Sequence, residues 1–170
     1  SITTDAAGTT ALNSTIVTTS GDQIYNDAVT AGGATTTINA LNVTFADTST
    51  FNGTTSTVNA TDATFTGDAN FAGGVADINA SSDATFGAAT TFSSTATVDA
   101  TSGNATFTGV TTLGGDATVT AGNNARVLAA VNGSATDDLT VNASNATTFT
   151  GGSLGSVTTD AAGTVEFDAN

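Results

Sequence analysis

The chain has 170 residues, 15 Asp and Glu against a single basic residue (Arg126), a formal net charge of −14, and no Cys, His, Pro, Met or Trp. Such a charge repels phosphate backbones and anionic lipid, so neither nucleic-acid binding nor membrane insertion is expected. Without His, Cys or Lys, the common Ser and Cys nucleophile–base pairs are unavailable.

Hydrophobic residues make up 38% of the chain. They recur at fixed intervals, which a polar disordered chain would not require. The intervals define a repeat. Its first clear copy is Gly21 to Ala40, GDQIYNDAVTAGGATTTINA. Three closely similar copies follow: LNVTFADTSTFNGTTSTVNA (41–60), TDATFTGDANFAGGVADINA (61–80) and SSDATFGAATTFSSTATVDA (81–100). Looser copies run over 101–121, 122–143 and 144–161. The unit length drifts between about 18 and 22 residues, as the loops of a solenoid allow.

Aligned, the copies give columns. The first apolar column is Tyr25, Phe45, Phe65, Phe86, Phe107, Leu128, Phe149. The second is Val29, Phe51, Phe71, Phe92, Leu113, Val131, Leu154, followed by small turn residues Gly33, Gly53, Gly73, Ser94, Gly115, Gly133, Gly155. The third is Ile38, Val58, Ile78, Val98, Val119, Val141, with Val157 as a looser member. A polar column follows it directly: Asn39, Asn59, Asn79, Asp99, Thr120, Asn142, Asp160.

Within each copy, polar and apolar residues alternate with period two, as in Ala-Thr-Phe-Thr and Thr-Val-Asn. Thr, Val, Ile and Phe favour extended chain. Gly, Asn and Asp interrupt each run after three to five residues. A unit of about 20 residues with three short strands is one coil of a parallel β-solenoid. Coils spaced about 4.8 Å apart set ring over ring and amide over amide, and about eight of them make a rod near 40 Å long. The segment SITTDAAGT at position 1 returns as SVTTDAAGT at position 156. Neither end carries an amphipathic helix, Pro or Lys as a cap, so residues 1–170 are expected to be one solenoid segment of a longer tandem array, or a subunit that stacks end to end.

The run GDQIYNDAVTAGG, the repeated TTDAAGT and the TFTG units resemble the repeat regions of filamentous-haemagglutinin-like bacterial surface adhesins. The resemblance covers almost the whole chain. It implies a right-handed parallel β-helix and an extracellular or cell-surface stalk serving adhesion, biofilm or a surface layer. It brings no catalytic residue with it. The expectation is therefore an all-β, right-handed parallel β-helix with a mechanical role, partnered by copies of itself or by glycans and host surfaces.

Two carboxylates suffice for glycoside hydrolysis, and Asp137 with Asp138, or Asp68 with Asp47 or Asp83, are the candidate pairs. No carboxylate sits in an apolar pocket that would tune it, so no enzyme is expected. Asp and Asn oxygens suit Ca²⁺; Asp5, Asp22, Asp27, Asp137, Asp138 and Asp160 are candidate ligands, but no nonapeptide calcium repeat is present and Gly114-Gly115-Asp116 is a single echo. Nine Asn-x-Ser/Thr sequons occur, at Asn13, Asn42, Asn52, Asn59, Asn79, Asn104, Asn132, Asn142 and Asn145. At Asn59, Asn79 and Asn142 an amide ladder explains the residue equally well. The column Thr37, Thr57, Asp77, Thr97, Thr118, Thr140 resembles ice-binding Thr arrays, but Asp77 interrupts it and its spacing drifts after Thr97. Arg126 is offered a partner in Asp137 or Asp138.

Overall fold

The computed structural model describes residues 1–159 and 164–167. It is all-β, with three parallel sheets of nine, eight and eight strands and no helix among the described residues. Each coil gives one strand to each sheet. Asn42–Phe45 enters the first sheet, Ser49–Phe51 the second and Thr55–Ala60 the third. The next coil repeats this with Asp62–Phe65, Ala69–Phe71 and Val75–Ala80. About eight such coils stack as the β-solenoid expected from the repeat.

The strands form where side chains alternate between a shared interior and solvent. In Asp62–Phe65, Ala63 and Phe65 are buried while Asp62 and Thr64 are half-buried on the outside. Register is set by the inward residues, because a one-residue slip would turn every apolar side chain outward. Phe65 lies opposite both Phe45 and Phe86, and Ile78 opposite both Val58 and Val98. Drift in unit length is absorbed at the corners. Ala60 pairs with Ala80 and Ala63 with Ala84, so two residues (61, 62) separate the paired positions in one coil and three (81–83) in the next.

Two aromatic columns fill the middle of the rod. In the first, Tyr25, Phe45, Phe65, Phe86 and Phe107 stack with centroids 5.2, 4.9, 4.9 and 4.6 Å apart. In the second, Phe51, Phe71 and Phe92 stack at 4.9 and 5.2 Å. The columns meet edge to face, Phe45 on Phe51 at 84° and Phe86 on Phe92 at 75°. Both geometries are favourable for a ring quadrupole, worth about 0.5–1.5 kcal/mol per pair beyond buried area.

Coils approach closely at the corner between the second and third sheets, and this requires glycine. A Cβ on Gly73 would lie 2.1 Å from the carbonyl oxygen of Gly53 beneath it. A Cβ on Gly53 would lie 2.5 Å from that of Gly33.

The structure corrects several column assignments. Leu128 is 43% exposed; Val127, one residue earlier, is buried and pairs with Phe107. Ala31, not Val29, sits opposite Phe51, and Val29 pairs with Ser49. Val131 pairs with Thr111 rather than Leu113. Val157 pairs with Leu139, which puts it two residues away from the column ending at Val141. Leu154 is half-buried against the core. Asp160 lies outside the described residues.

The first two coils are polar inside, which the apolar columns did not anticipate. Gln23 is fully buried, and its amide nitrogen donates to the backbone oxygen of Asn39 at 2.9 Å and to Thr19 Oγ1 at 3.2 Å. Tyr25 donates to Gln23 Oε1 at 2.8 Å. Burial pushes the Tyr25 hydroxyl up to about 12. Asp27 is 4% exposed and accepts from the hydroxyls of Thr4 and Thr10. The Thr4 hydroxyl, seconded by that of Thr10, holds its carboxyl below the usual carboxylate range against the opposing effect of burial.

Candidate functional site: the outward Asn, Asp and Thr columns

With the interior filled by packing, the side chains available to a partner are those that alternate outward. They form columns because the coils are in register. On the third sheet Thr37, Thr57, Asp77, Thr97, Thr118 and Thr140 are aligned, each opposite the next. The alignment holds beyond Thr97, because the added residues sit in corners. Asp77 does interrupt the column. The first sheet carries a second aligned run, Thr44, Thr64, Thr85 and Thr106, which continues into Arg126 and Thr148.

The expected amide ladder is present over part of its length. Asn59 donates to Asn39 Oδ1 at 2.8 Å and Asn79 to Asn59 Oδ1 at 3.0 Å, while Asn39 donates to Thr18 Oγ1 at 3.0 Å. The column then passes through Asp99 and Thr120, neither of which carries an amide. A second ladder, not anticipated, runs along the corner between the third and first sheets. Asn104 donates to Asp83 Oδ1 at 3.1 Å, Asn123 and Asn124 donate to Asn104 Oδ1 at 3.1 and 3.0 Å, and Asn145 donates to Asn123 Oδ1 at 2.7 Å. The sequence signal for it was the Asp or Asn two or fewer residues before the first-sheet strands.

The candidate carboxylates are mostly occupied by structure. Asp137 is buried at a corner and accepts from the Ser134 backbone N–H at 2.6 Å. Its neighbour Asp138 is exposed and accepts from Ser156 Oγ at 2.8 Å. Asp47 accepts from the Thr48 N–H, and Asp68 from the Ala89 N–H, both at the corner between the first and second sheets. Asp83 stands at a different corner, accepting from the Asn104 N–H at 2.7 Å. It is therefore not brought beside Asp68. Asp22 accepts from Asn42 at 2.9 Å, Asp5 is exposed, and Asp27 belongs to the interior network. Among the described residues no three Asp or Glu side chains gather where they could hold a metal ion.

Arg126 stands on the first sheet, opposite Thr106 and Thr148, and so does not meet the corner acids Asp137 and Asp138. With Asp83, Thr85, Asn104, Thr106, Asn123 and Asn124 it lines an open polar groove of about 300 Å³.

No known protein family, no curated protein and no solved structure matches this chain.

Proposed function

We propose that this chain is a structural segment of a stalk or fibre displayed outside a bacterial cell, joined end to end with further coils or copies. One observation carries the reading. The three sheets run in register along the described residues, each coil hydrogen-bonded in parallel to the next. A coil stacked in this way is a template for parallel pairing with another like coil. The charge of −14 opposes lateral clumping of rods. The role is mechanical rather than catalytic: the interior is packed side chain on side chain, and Asp22, Asp62, Asp68, Asp83, Asp116 and Asp138 are tied to neighbouring coils. Adhesion, biofilm matrix and surface layers are the settings such a rod would serve.

Negative-stain microscopy with fibre diffraction tests this. The expected outcome is filaments whose width is that of one coil and an axial reflection near 4.8 Å. Monodisperse particles no longer than one chain, at any concentration, would refute it.

A second reading, glycan binding along one face, is favoured by the polar groove at Arg126. An acidic saccharide would place its carboxylate on the guanidinium and its hydroxyls on the neighbouring amides. Loss of binding to uronate-containing oligosaccharides in Arg126→Ala, with wild type binding them, is the outcome that would support it.

A further inference from the structure

The fold divides the nine sequons into two groups. Asn13, Asn52 and Asn132 are exposed, and all three lie at the corner between the second and third sheets. They sit at or just after the strands Thr9–Leu12, Ser49–Phe51 and Val131–Asn132. The hydroxyl residues two positions on, Thr15, Thr54 and Ser134, are exposed as well.

The other six are held in the wall: five are half-buried, and Asn145, though exposed, has its sequon hydroxyl residue Thr147 buried. Asn42, Asn59, Asn79, Asn104 and Asn145 each donate their side-chain amide to the coil beneath, at 2.9, 2.8, 3.0, 3.1 and 2.7 Å. Asn142 is half-buried inside the strand Asp138–Ala143. An enzyme that modifies these sites must first break the amide's bond to the next coil or free a buried strand residue, which costs a share of the local stability.

We infer that the second-to-third-sheet corner is an N-linked saccharide acceptor edge, with Asn13, Asn52 and Asn132 as its sites. The reading goes beyond the mechanical role and does not rest on it. Along the axis this corner is tight, and coils between these sites place Gly32, Gly33, Gly73, Gly74, Gly114 and Gly115 there, so those positions project no side chain outward beside the acceptors. The sites fall on the first, third and seventh coils, about 10 and about 19 Å apart along the axis, wide enough for separate sugars. In the transfer, the Asn side-chain nitrogen attacks C1 of a sugar activated as its diphosphate ester. The C1–N bond forms, the C1–O bond to phosphate breaks, and the diphosphate leaves with the electron pair. The amide proton passes to a base of the transferase. The activated donor is either a nucleotide sugar or a lipid-linked sugar pyrophosphate.

The test compares folded and urea-unfolded protein. One arm uses a soluble N-glycosyltransferase with UDP-glucose, the other an oligosaccharyltransferase with a lipid-linked oligosaccharide. Because the chain has a single basic residue, peptides are cut at Asp and Glu for mass spectrometry. In the folded protein the three corner sites should be modified more than about tenfold faster than the other six, an opening cost of about 1.4 kcal/mol or more. In the unfolded chain the preference should vanish. Asn52→Gln should remove one modified peptide and leave the fold unchanged. Protein from its own cells should carry sugar at the corner sites, and its mass identifies which arm's donor was used. Equal rates at all nine sites in the folded protein, no transfer to the corner sites in either arm, or bare asparagines at all three in the native protein would each overturn the inference.

Discussion

The rod between Tyr25 and Phe107 and the rod beyond Phe107 obey one topology but pack differently. In the first stretch, rings sit over rings in two columns that also meet edge to face. Beyond it, Phe107 is followed by Val127 and Phe92 by Leu113. Where the change occurs, a void of about 10 Å³ opens among Phe92, Phe107, Leu113, Val127, Val131 and Leu139. Thr111 lines the same void; its buried hydroxyl, like those of Thr36, Ser49 and Thr90 in the aromatic stretch, has no hydrogen-bond partner. Backbone register thus survives loss of the aromatic column, and a small void marks where the column changes. In a solenoid each coil is held by its neighbours, so such a junction weakens the rod locally.

Truncation on either side of Phe107 separates the two stretches. Phe65→Ala removes a ring that touches Phe45, Phe51, Phe71 and Phe86, and should cost about 3–5 kcal/mol. Val127→Ala removes two methyl groups and should cost about 1.5 kcal/mol. Urea denaturation measures both; equal losses would mean the aromatic column contributes no more than the aliphatic one.

Backbone proximity gives the next largest effect. Gly73→Ala should destabilise by about 1–3 kcal/mol, because a Cβ there meets the Gly53 carbonyl at 2.1 Å. Gly87→Ala, whose nearest neighbour atom is 3.4 Å away, should stay within about 0.5 kcal/mol. Thermal melting of the two variants separates steric approach from a general intolerance of alanine at corners.

The polar first coils should respond to base where the aromatic middle does not. The Tyr25 hydroxyl titrates near 10 unfolded and about 12 folded. Its contribution is therefore fully present below pH 10 and lost as pH rises through about 12. Hydrogen exchange between pH 9 and 12 should show the coils at Tyr25 loosening first, and Tyr25→Phe should remove that alkaline step.

Asn59→Ala breaks two rungs of the ladder on an outer face and should cost about 1 kcal/mol. The smallest effect should be a gain: Val127→Ile adds one methylene at the junction void, worth up to about 0.8 kcal/mol. A loss there would show that the void is too narrow to accept it.

The sequence carried the fold where inward residues repeat without competition. Phe45, Phe65 and Phe86, or Val58, Ile78 and Val98, admit one register. It misled where two apolar neighbours compete. Val127 and Leu128 both suit an interior position, and only pairing with Phe107 selects between them. The polar interior was legible in principle: Gln23, Tyr25, Asp27 and Val29 share one period-two phase, and all four are buried. Polarity argued against placing Gln23 and Asp27 inside, and tertiary hydrogen bonds overrode it. On the outside, the sequence named the Thr column and the sequons. It could not say which asparagines the ladders immobilise, since that depends on contacts 19 to 22 residues away.

Asparagine amides that link one coil to the next all donate the same way. Asn39, Asn42, Asn59, Asn79, Asn104, Asn123, Asn124 and Asn145 each point their NH₂ toward the coil nearer residue 1. Dipoles aligned in this manner reinforce one another. The rod thus has an electrical polarity, its leading face relatively positive and its trailing face relatively negative. Between two such bodies the aligned dipoles favour head-to-tail over head-to-head contact, so any assembly along the axis would inherit a single direction from the first pair onward.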